Sequence, residues 1–328
     1  MLKYLPAALA IFATPTFADH GEAEAGQDTV LAEVAHLFAS AQIVDGPKYV
    51  DCTLSEGTQT TCFSITVVGT PTTYTPGPWC PTNVTDGPED SGKWFTNDGF
   101  VDADGPFMTT LADLYNDDTW DMVDAETGAI SVTDTAASCA AAARPDVGEE
   151  YENYCVQCLI EYIPEELTMT YVIPVEPQQA QRISERLVAG AGVALNGVRL
   201  DGPAPIDAIL GAYTIAAFDD CGGHVNLNVG YHYHAATDCL LSSSHLSEDA
   251  AQIGIAMDGY PIMAHTLIDG SKPTDLGQCG GHTGENGFHY HAGEEGSNAI
   301  LACLVAQTGC ASTDADAQCD GSARRPRP

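Results

Sequence analysis

The sequence is poor in positive charge. Only 11 Lys and Arg residues stand against 46 Asp and Glu in 328, a formal net charge of −35. A surface of that sign repels phosphate backbones and anionic membranes, which argues against nucleic acid as a partner. It keeps a protein soluble in a salty medium and leaves cations or basic partners open. Long apolar runs are lacking too. After residue 14 no stretch approaches the roughly 20 apolar residues of a spanning helix, so no membrane span is expected. The signatures of common catalysts are missing: no G-x-S-x-G, H-E-x-x-H, P-loop or dinucleotide-binding glycine fingerprint occurs. A hydrolase of a common class therefore finds no support.

What is present begins with an address. Met1-Leu2-Lys3 gives one positive charge, residues 4–14 are apolar and Ala-rich, and Thr16-Phe17-Ala18 offers small residues at a cleavage site. This reads as a signal peptide over residues 1–18, too short to span a bilayer. The expected mature chain starts near Asp19 and is periplasmic or extracellular. His20 would then be its second residue, where the terminal amine and an imidazole together suit copper. The 12 cysteines, an even number, are expected to be oxidised in that compartment. In that setting Cys155-Val156-Gln157-Cys158 reads as structural rather than redox-active, and the pairing cannot be deduced. Hydrophobic residues make up 44% of the chain, enough for a packed core.

The pattern predicts a mostly β protein with minor α content, a disulfide-rich domain that is β-sandwich-like or irregular. Residues 19–43 form an acidic segment and a short helix, with Leu31, Val34 and Phe38 at helical spacing over Thr29–Ile43. Residues 44–165 are rich in Cys, Asp and Gly; strands are expected at Lys48–Leu54 and Thr60–Val68, stapled by Cys52 and Cys62, then long loops with a helical turn at Leu111–Tyr115. The carboxylates of residues 97–124, among them Asp98, Asp102, Asp104, Asp117, Asp118 and Asp121, are a candidate calcium site, although EF-hand spacing is absent. Residues 166–311 form a histidine-bearing domain. It contains a strand at Leu167–Val175, a short helix or irregular exposed segment at Gln178–Val188, and two short strands around Asn196-Gly197. A polar tail, 312–328, follows, its first part tied down by Cys319.

The chemistry lies in an internal duplication. One copy reads Cys221-Gly222-Gly223-His224, then Gly230-Tyr231-His232-Tyr233-His234-Ala235; the other reads Cys279-Gly280-Gly281-His282, then Gly287-Phe288-His289-Tyr290-His291-Ala292. The two repeats, 221–239 and 279–303, each close on a further cysteine, Cys239 and Cys303. Of ten histidines, eight lie between residues 224 and 291, and six of those occupy matching places. Aromatic-flanked His-x-His favours a strand, where residues i and i+2 share a face. His232 and His234 thus project together, as do His289 and His291, while Tyr233 and Tyr290 face the other way. His224 and His282, each after a flexible Gly-Gly turn, can swing back as third imidazoles. Neutral imidazole suits copper and zinc, and three nitrogens leave one position open. The oxidising compartment and the affinity order put copper first.

These residues resemble the YHYH-domain family, whose tetrapeptide stands here as Tyr231-His232-Tyr233-His234, with Phe288 replacing the first Tyr in the second copy. Gly192-Val193-Ala194-Leu195-Asn196-Gly197, Asp201-Gly202-Pro203, and Ala256-Met257-Asp258-Gly259-Tyr260-Pro261-Ile262 are similar to other family segments. The resemblance covers roughly residues 168–303. It implies an extracytoplasmic location and a metal role, and carries no settled activity or protein partner. The expected function is an exported copper- or zinc-binding protein using His224, His232, His234, His282, His289 and His291 in one shared site or two, with His265 as a weaker candidate ligand and His245 as a lone histidine. The alternatives are a metalloenzyme on the same site and a non-metal adhesion or carbohydrate-binding module. Asp258, followed by Gly-Tyr-Pro, reads first as a turn former; the functional alternative makes it a partner that orients a ligating histidine, or the first candidate general base.

Overall fold

The computed structural model describes residues 21–323 apart from residues 145, 164–166, 248–249 and 316, with the backbone alone for residues 21–28. The expected leader and His20 lie outside the described residues.

Helix α1 (Gly21–Leu37) sends Val34 into the core, as does Phe38 just beyond its end. Strands β1 (Gln42–Thr53) and β2 (Gln59–Val68) follow, stapled by Cys52–Cys62 as expected. The helix is shorter at its C-terminus than its spacing suggests, because Gln42 and Ile43 pair with Val68 and Val67 instead. Next come the hairpin β3 (Lys93–Thr96) and β4 (Gly99–Asp102), then α2 (Gly105–Met108), α3 (Leu111–Tyr115) and α4 (Ala136–Ala142). After β5 (Thr168–Pro174) and β6 (Gln179–Ser184) the histidine-bearing part is built from β7 (Gly192–Ala194), β8 (Arg199–Leu200), α5 (Ile206–Gly211), β9 (Gly223–Asn226), β10 (Gly230–Tyr233), β11 (His245–Ser247), β12 (Ala250–Ala256), β13 (Pro261–Leu267), β14 (Gly281–Gly284) and β15 (Gly287–His291). The chain ends with β16 (Leu304–Ala306) and β17 (Cys310–Ser312). The fold is mostly β and irregular, made of several sheets and six disulfides.

The first sheet has the order β1-β2-β5-β17. Alternation along its inner strands sends Phe63, Ile65 and Val67, with Met169, Tyr171 and Ile173, into the main core, and Val172 into a smaller cluster with Cys52, Leu54 and Cys62. Pro47 sits in the edge strand β1, where a missing N–H breaks no inner ladder. The tail runs back along this sheet: Thr53 N–H donates to Cys319 O, and Cys319 is bonded to Cys310. Within segment 178–188, expected as a short helix or irregular and exposed, Gln179–Ser184 form the strand β6, while residues 185–188 are irregular, and most of the segment is exposed. The partner of β6 is β16, far downstream, and the Glu56 carboxylate takes the N–H groups of Gln181 and Arg182.

The second sheet has the order β14-β15-β13-β12-β7-β8-β10-β9, with β11 added on β12. Read from either end, it is the same arrangement: a histidine hairpin, then a strand parallel to it, then that strand's antiparallel partner. In one half Tyr233 pairs with Leu200 and Gly192 with Leu200; in the other Tyr290 pairs with Ile262 and Gly254 with Ile262. The halves join where Gly192 pairs with Ala256, Val193 with Ile255 and Ala194 with Gly254. These are equivalent positions in exchanged order, so a local twofold passes between Val193 and Ile255. The backbones approach closely there: a Cβ on Gly192 would lie 2.3 Å from Ile255 O, and one on Gly254 2.7 Å from Val193 O.

Residues 44–165 pack against the first half. Lys93 and Phe218 exchange backbone hydrogen bonds, and Phe95 and Trp94 lie against the Phe218 ring at 5.0 and 6.1 Å between centroids. The C-x-x-C cysteines do not pair with each other: Cys155 bonds Cys80, and Cys158 bonds Cys139. That agrees with a structural role. Among the described residues no helix is long and apolar enough to cross a membrane.

Closing a long loop restricts the unfolded chain more than closing a short one. Cys80–Cys155 spans 75 positions and Cys310–Cys319 spans 9. Replacing the first pair by Ser is expected to destabilise the protein by about 4 kcal/mol and the second by about 3 kcal/mol. Urea unfolding of the two double variants checks the order; equal or reversed losses contradict it.

Candidate metal centre

The two histidine hairpins are built alike. Gly222 and Gly280 take φ of +78° and +77°, a left-handed turn that glycine adopts without strain, and this brings the chain back from the cysteine into β9 and β14. Cys221–Cys239 and Cys279–Cys303 fasten the two turns. Register then sets His224 opposite His232, and His282 opposite His289. His234 and His291, two positions further along, share the face of their strand partners. The structure gathers His224, His232 and His234 into one cluster and His282, His289 and His291 into another, in each case with ligand atoms within 4.8 Å of one another. The six sequence-derived histidines thus form two triads.

The ring orientations are fixed from behind. His234 Nδ1 lies 2.6 Å from Gly202 O, and His291 Nδ1 lies 2.9 Å from Ala264 O. His232 Nδ1 lies 3.0 Å from its own strand's Gly230 O, and His282 Nδ1 lies 2.9 Å from Asp275 Oδ1. A carbonyl or carboxylate oxygen only accepts, so each of these Nδ1 atoms carries a proton, and in the neutral ring the Nε2 presents the lone pair. The Nε2 atoms converge. His224 and His232 are 3.1 Å apart, His282 and His289 2.9 Å, and His282 and His291 3.3 Å. Nitrogens bound tetrahedrally at 2.0–2.1 Å from one ion lie about 3.3 Å apart, so the donor sets fit a small cation. His282 with Asp275 also matches the carboxylate–histidine pairing that raises a metal ligand's basicity.

Burial pushes His224, well below the ordinary imidazole range, with repulsion from His232 and His234 adding to it; burial also lowers His232, and lowers His234 to about 3. These rings are therefore neutral at ordinary pH, the form that binds metal.

The tyrosines between the histidines face the other side of each strand and are buried, as expected. Asn196 Nδ2 donates to Tyr233 Oη at 2.8 Å, and Tyr290 Oη donates to Asp258 Oδ2 at 2.6 Å. Asn196 and Asp258 occupy equivalent turns. Asp258 also accepts Ala306 N–H at 3.1 Å, and burial pushes its carboxyl up. Its oxygens thus serve the tyrosine face. The expectation that it orients a histidine is not met: its hydrogen-bond partners are Tyr290, Ala306 and Tyr260. His265 stands apart from the triad; its Nδ1 meets Ala292 O at 3.1 Å and its Nε2 is 3.7 Å from Glu294. His245 stacks edge-on against His36. The carboxylates of residues 97–124 do not converge: among the described residues the two triads are the groups that could hold an ion. Asp104 instead caps α2, Asp102 pairs with Lys93, and Asp117 accepts a turn N–H from Thr119.

The two triads differ in their surroundings. Behind the first lies Phe218, its ring 4.7 Å from His224 and 5.5 Å from His234. The equivalent of Phe218 is Leu276, partly exposed, and the equivalent of Ala217 is Asp275. The first triad lines a cavity of about 620 Å³ with Asp201, which pairs with Arg199 at 3.1 Å. Burial works to raise the Asp201 carboxyl, but Arg199 outweighs it and holds the carboxyl below its ordinary value. Tyr231 donates to the buried Asp219, which also accepts N–H groups of Gly77, Cys221 and Gly223. In the second half Phe288 and Gly277 stand in these two places, so the hydroxyl and its acceptor are missing together.

Sequence reasoning missed Phe218, Asp219 and Trp79. It also took residues 192–198 and 254–260 as separate segments. Their shared pattern, G-[VI]-A-[LM]-[ND]-G-[VY], is the signal that the repeat begins well before the cysteines.

If Asp258 holds Tyr290, Asp258→Ala leaves a buried hydroxyl and the Ala306 N–H without an acceptor, at an expected cost of about 1–3 kcal/mol in unfolding free energy. Asp258→Asn, which reproduces the residue of the other half, should cost less than half as much. Equal losses for both variants would contradict the equivalence.

Comparison with curated proteins gives no match, and neither does comparison with solved structures. Residues 170–275 match the family described as YHYH protein. The matched segment runs from β5 past β13, taking in the first triad and stopping short of the second. Over these residues the chain carries a domain of the YHYH protein family.

Proposed function

We propose that this is an exported metal-binding protein that holds copper or zinc on two separate three-histidine sites, His224/His232/His234 and His282/His289/His291. One observation carries the reading. His282 and His291 both commit their Nδ1 protons to oxygen acceptors, yet their Nε2 atoms face each other at 3.3 Å. Two lone pairs at that distance repel unless a metal ion or a proton lies between them, and a metal ion serves all three rings of a triad at once. In the first triad the Nε2 atoms of His224 and His232 approach to 3.1 Å, and burial favours the neutral form of all three rings. Imidazole donors suit copper and zinc rather than calcium, which takes oxygen ligands.

Six disulfides support a periplasmic or extracellular location, and residues 1–18 fit an export signal. The metal-binding domain in this reading covers residues 166–311, one site per repeat. Three nitrogens per ion leave a coordination position for water or another ligand.

Protein purified from an oxidising compartment is expected to contain two equivalents of copper or zinc by elemental analysis. His232→Ala with His234→Ala should reduce this to one equivalent, as should His289→Ala with His291→Ala. At a free metal concentration of 100 times Kd, each site should add about 2.7 kcal/mol of stability, seen as a lower Tm on chelation. A Tm indifferent to chelator and metal, with contents unchanged by both double variants, would instead favour a non-metal adhesion or carbohydrate-binding module.

A further inference from the structure

The cavity over the first triad is enclosed by parts of the chain far apart in sequence. Trp79, Val156, Leu187, Ile209, Ala217 and Val225 give it an apolar wall, and His224, His232 and His234 line it too. Its volume, about 620 Å³, is in the range that holds small organic ligands. Several polar groups of the wall are engaged with the protein itself. Gln157 Oε1 accepts Cys80 N–H, Thr214 donates to Ile209 O, Asn226 Oδ1 accepts Asn228 N–H, and Asp201 pairs with Arg199. Apart from Asp201, whose charge is matched by Arg199, charge sits on the exposed side chains Arg144, Glu185 and Arg186. The body of an occupant therefore meets apolar surface, and the triad is where a polar end would be satisfied.

The second triad offers a different setting. Asp275, with a side chain 72% exposed, and the partly exposed Leu276 stand where the first half has Ala217 and Phe218. A site beside an exposed carboxylate keeps water on its open position, whereas an apolar chamber favours an organic donor.

Resting on the metal reading above, we infer that the first triad is a ligand site. A small molecule with an uncharged apolar body and one donor atom fills the cavity and takes the open position of the ion held by His224, His232 and His234. The second triad holds its ion without such a ligand. The halves of the repeat thus have separate tasks.

Cobalt(II), whose visible spectrum reports coordination, and 4-phenylimidazole against imidazole test this. In the His289→Ala/His291→Ala protein, which retains the first triad, 4-phenylimidazole should bind roughly tenfold or more tighter than imidazole, because its phenyl ring is removed from water. The His232→Ala/His234→Ala protein should show no preference. Adding Ala208→Trp, an exposed position on the cavity wall, to the first-triad protein should abolish the preference and leave cobalt bound. The inference is overturned if the first-triad protein shows no preference, if the second-triad protein shows an equal one, or if Ala208→Trp changes nothing. Equally tight binding of 4-phenylimidazole by the metal-free protein in equilibrium dialysis also overturns it. Cobalt on both triads without preference defeats this inference alone; cobalt on neither defeats the metal reading with it.

Discussion

Parallel pairing of each histidine strand with the strand that precedes it in its own half is the constraint on which the rest depends. It places Tyr233 beside Leu200 and Tyr290 beside Ile262. Just beyond the paired residues the chain passes behind the last histidine of the motif, and its carbonyl, at Gly202 or Ala264, accepts a hydrogen bond from that ring's Nδ1. The ring cannot rotate away without losing a buried hydrogen bond, so its Nε2 stays aimed at the cluster. Antiparallel pairing within the hairpin brings the third ring opposite. The convergence of imidazoles is thus a consequence of backbone register, with side-chain rotation left little freedom.

The twofold relation between the halves shows what such a scaffold requires and what it tolerates. The turn glycines, the cysteines that fasten them, the three histidines and the inward tyrosine recur in both. The residue supporting that tyrosine differs, Asn196 in one half and Asp258 in the other, yet it contacts the same hydroxyl. Tyr231 with Asp219 in the first half gives way to Phe288 with Gly277 in the second, a hydroxyl and its acceptor absent together. A buried donor and acceptor stand or fall as a pair, since either one alone would be buried without a partner.

Much of this was legible in the sequence. The alternation of His-Tyr-His gave the facing of both residue types, and the Gly-Gly turns pointed to the third imidazole. The Asn196-Gly197 turn, the Cys52–Cys62 hairpin and the short helix at Leu111–Tyr115 follow from local patterns. Other features were not local. The strand at Gln179–Ser184 forms because Leu304–Ala306 lies beside it, and no periodicity in its own polar sequence announces that. The cavity depends on Trp79 and Val156 reaching the triad across the whole fold. The Gly-Tyr-Pro that follows Asp258 marks it as a turn residue, and it does accept Tyr260 N–H; its burial against Tyr290 can be read only from three dimensions.

The enclosure of the first triad ties its surroundings to bonds remote from the hairpin. The wall above the three imidazoles is held by Cys80–Cys155 and Cys139–Cys158, bonds that form only where oxidants reach the chain. The hairpin that carries the imidazoles is fastened separately, by Cys221–Cys239. Reduction of the two remote bonds would therefore slacken the chamber while the hairpin kept its own cross-link.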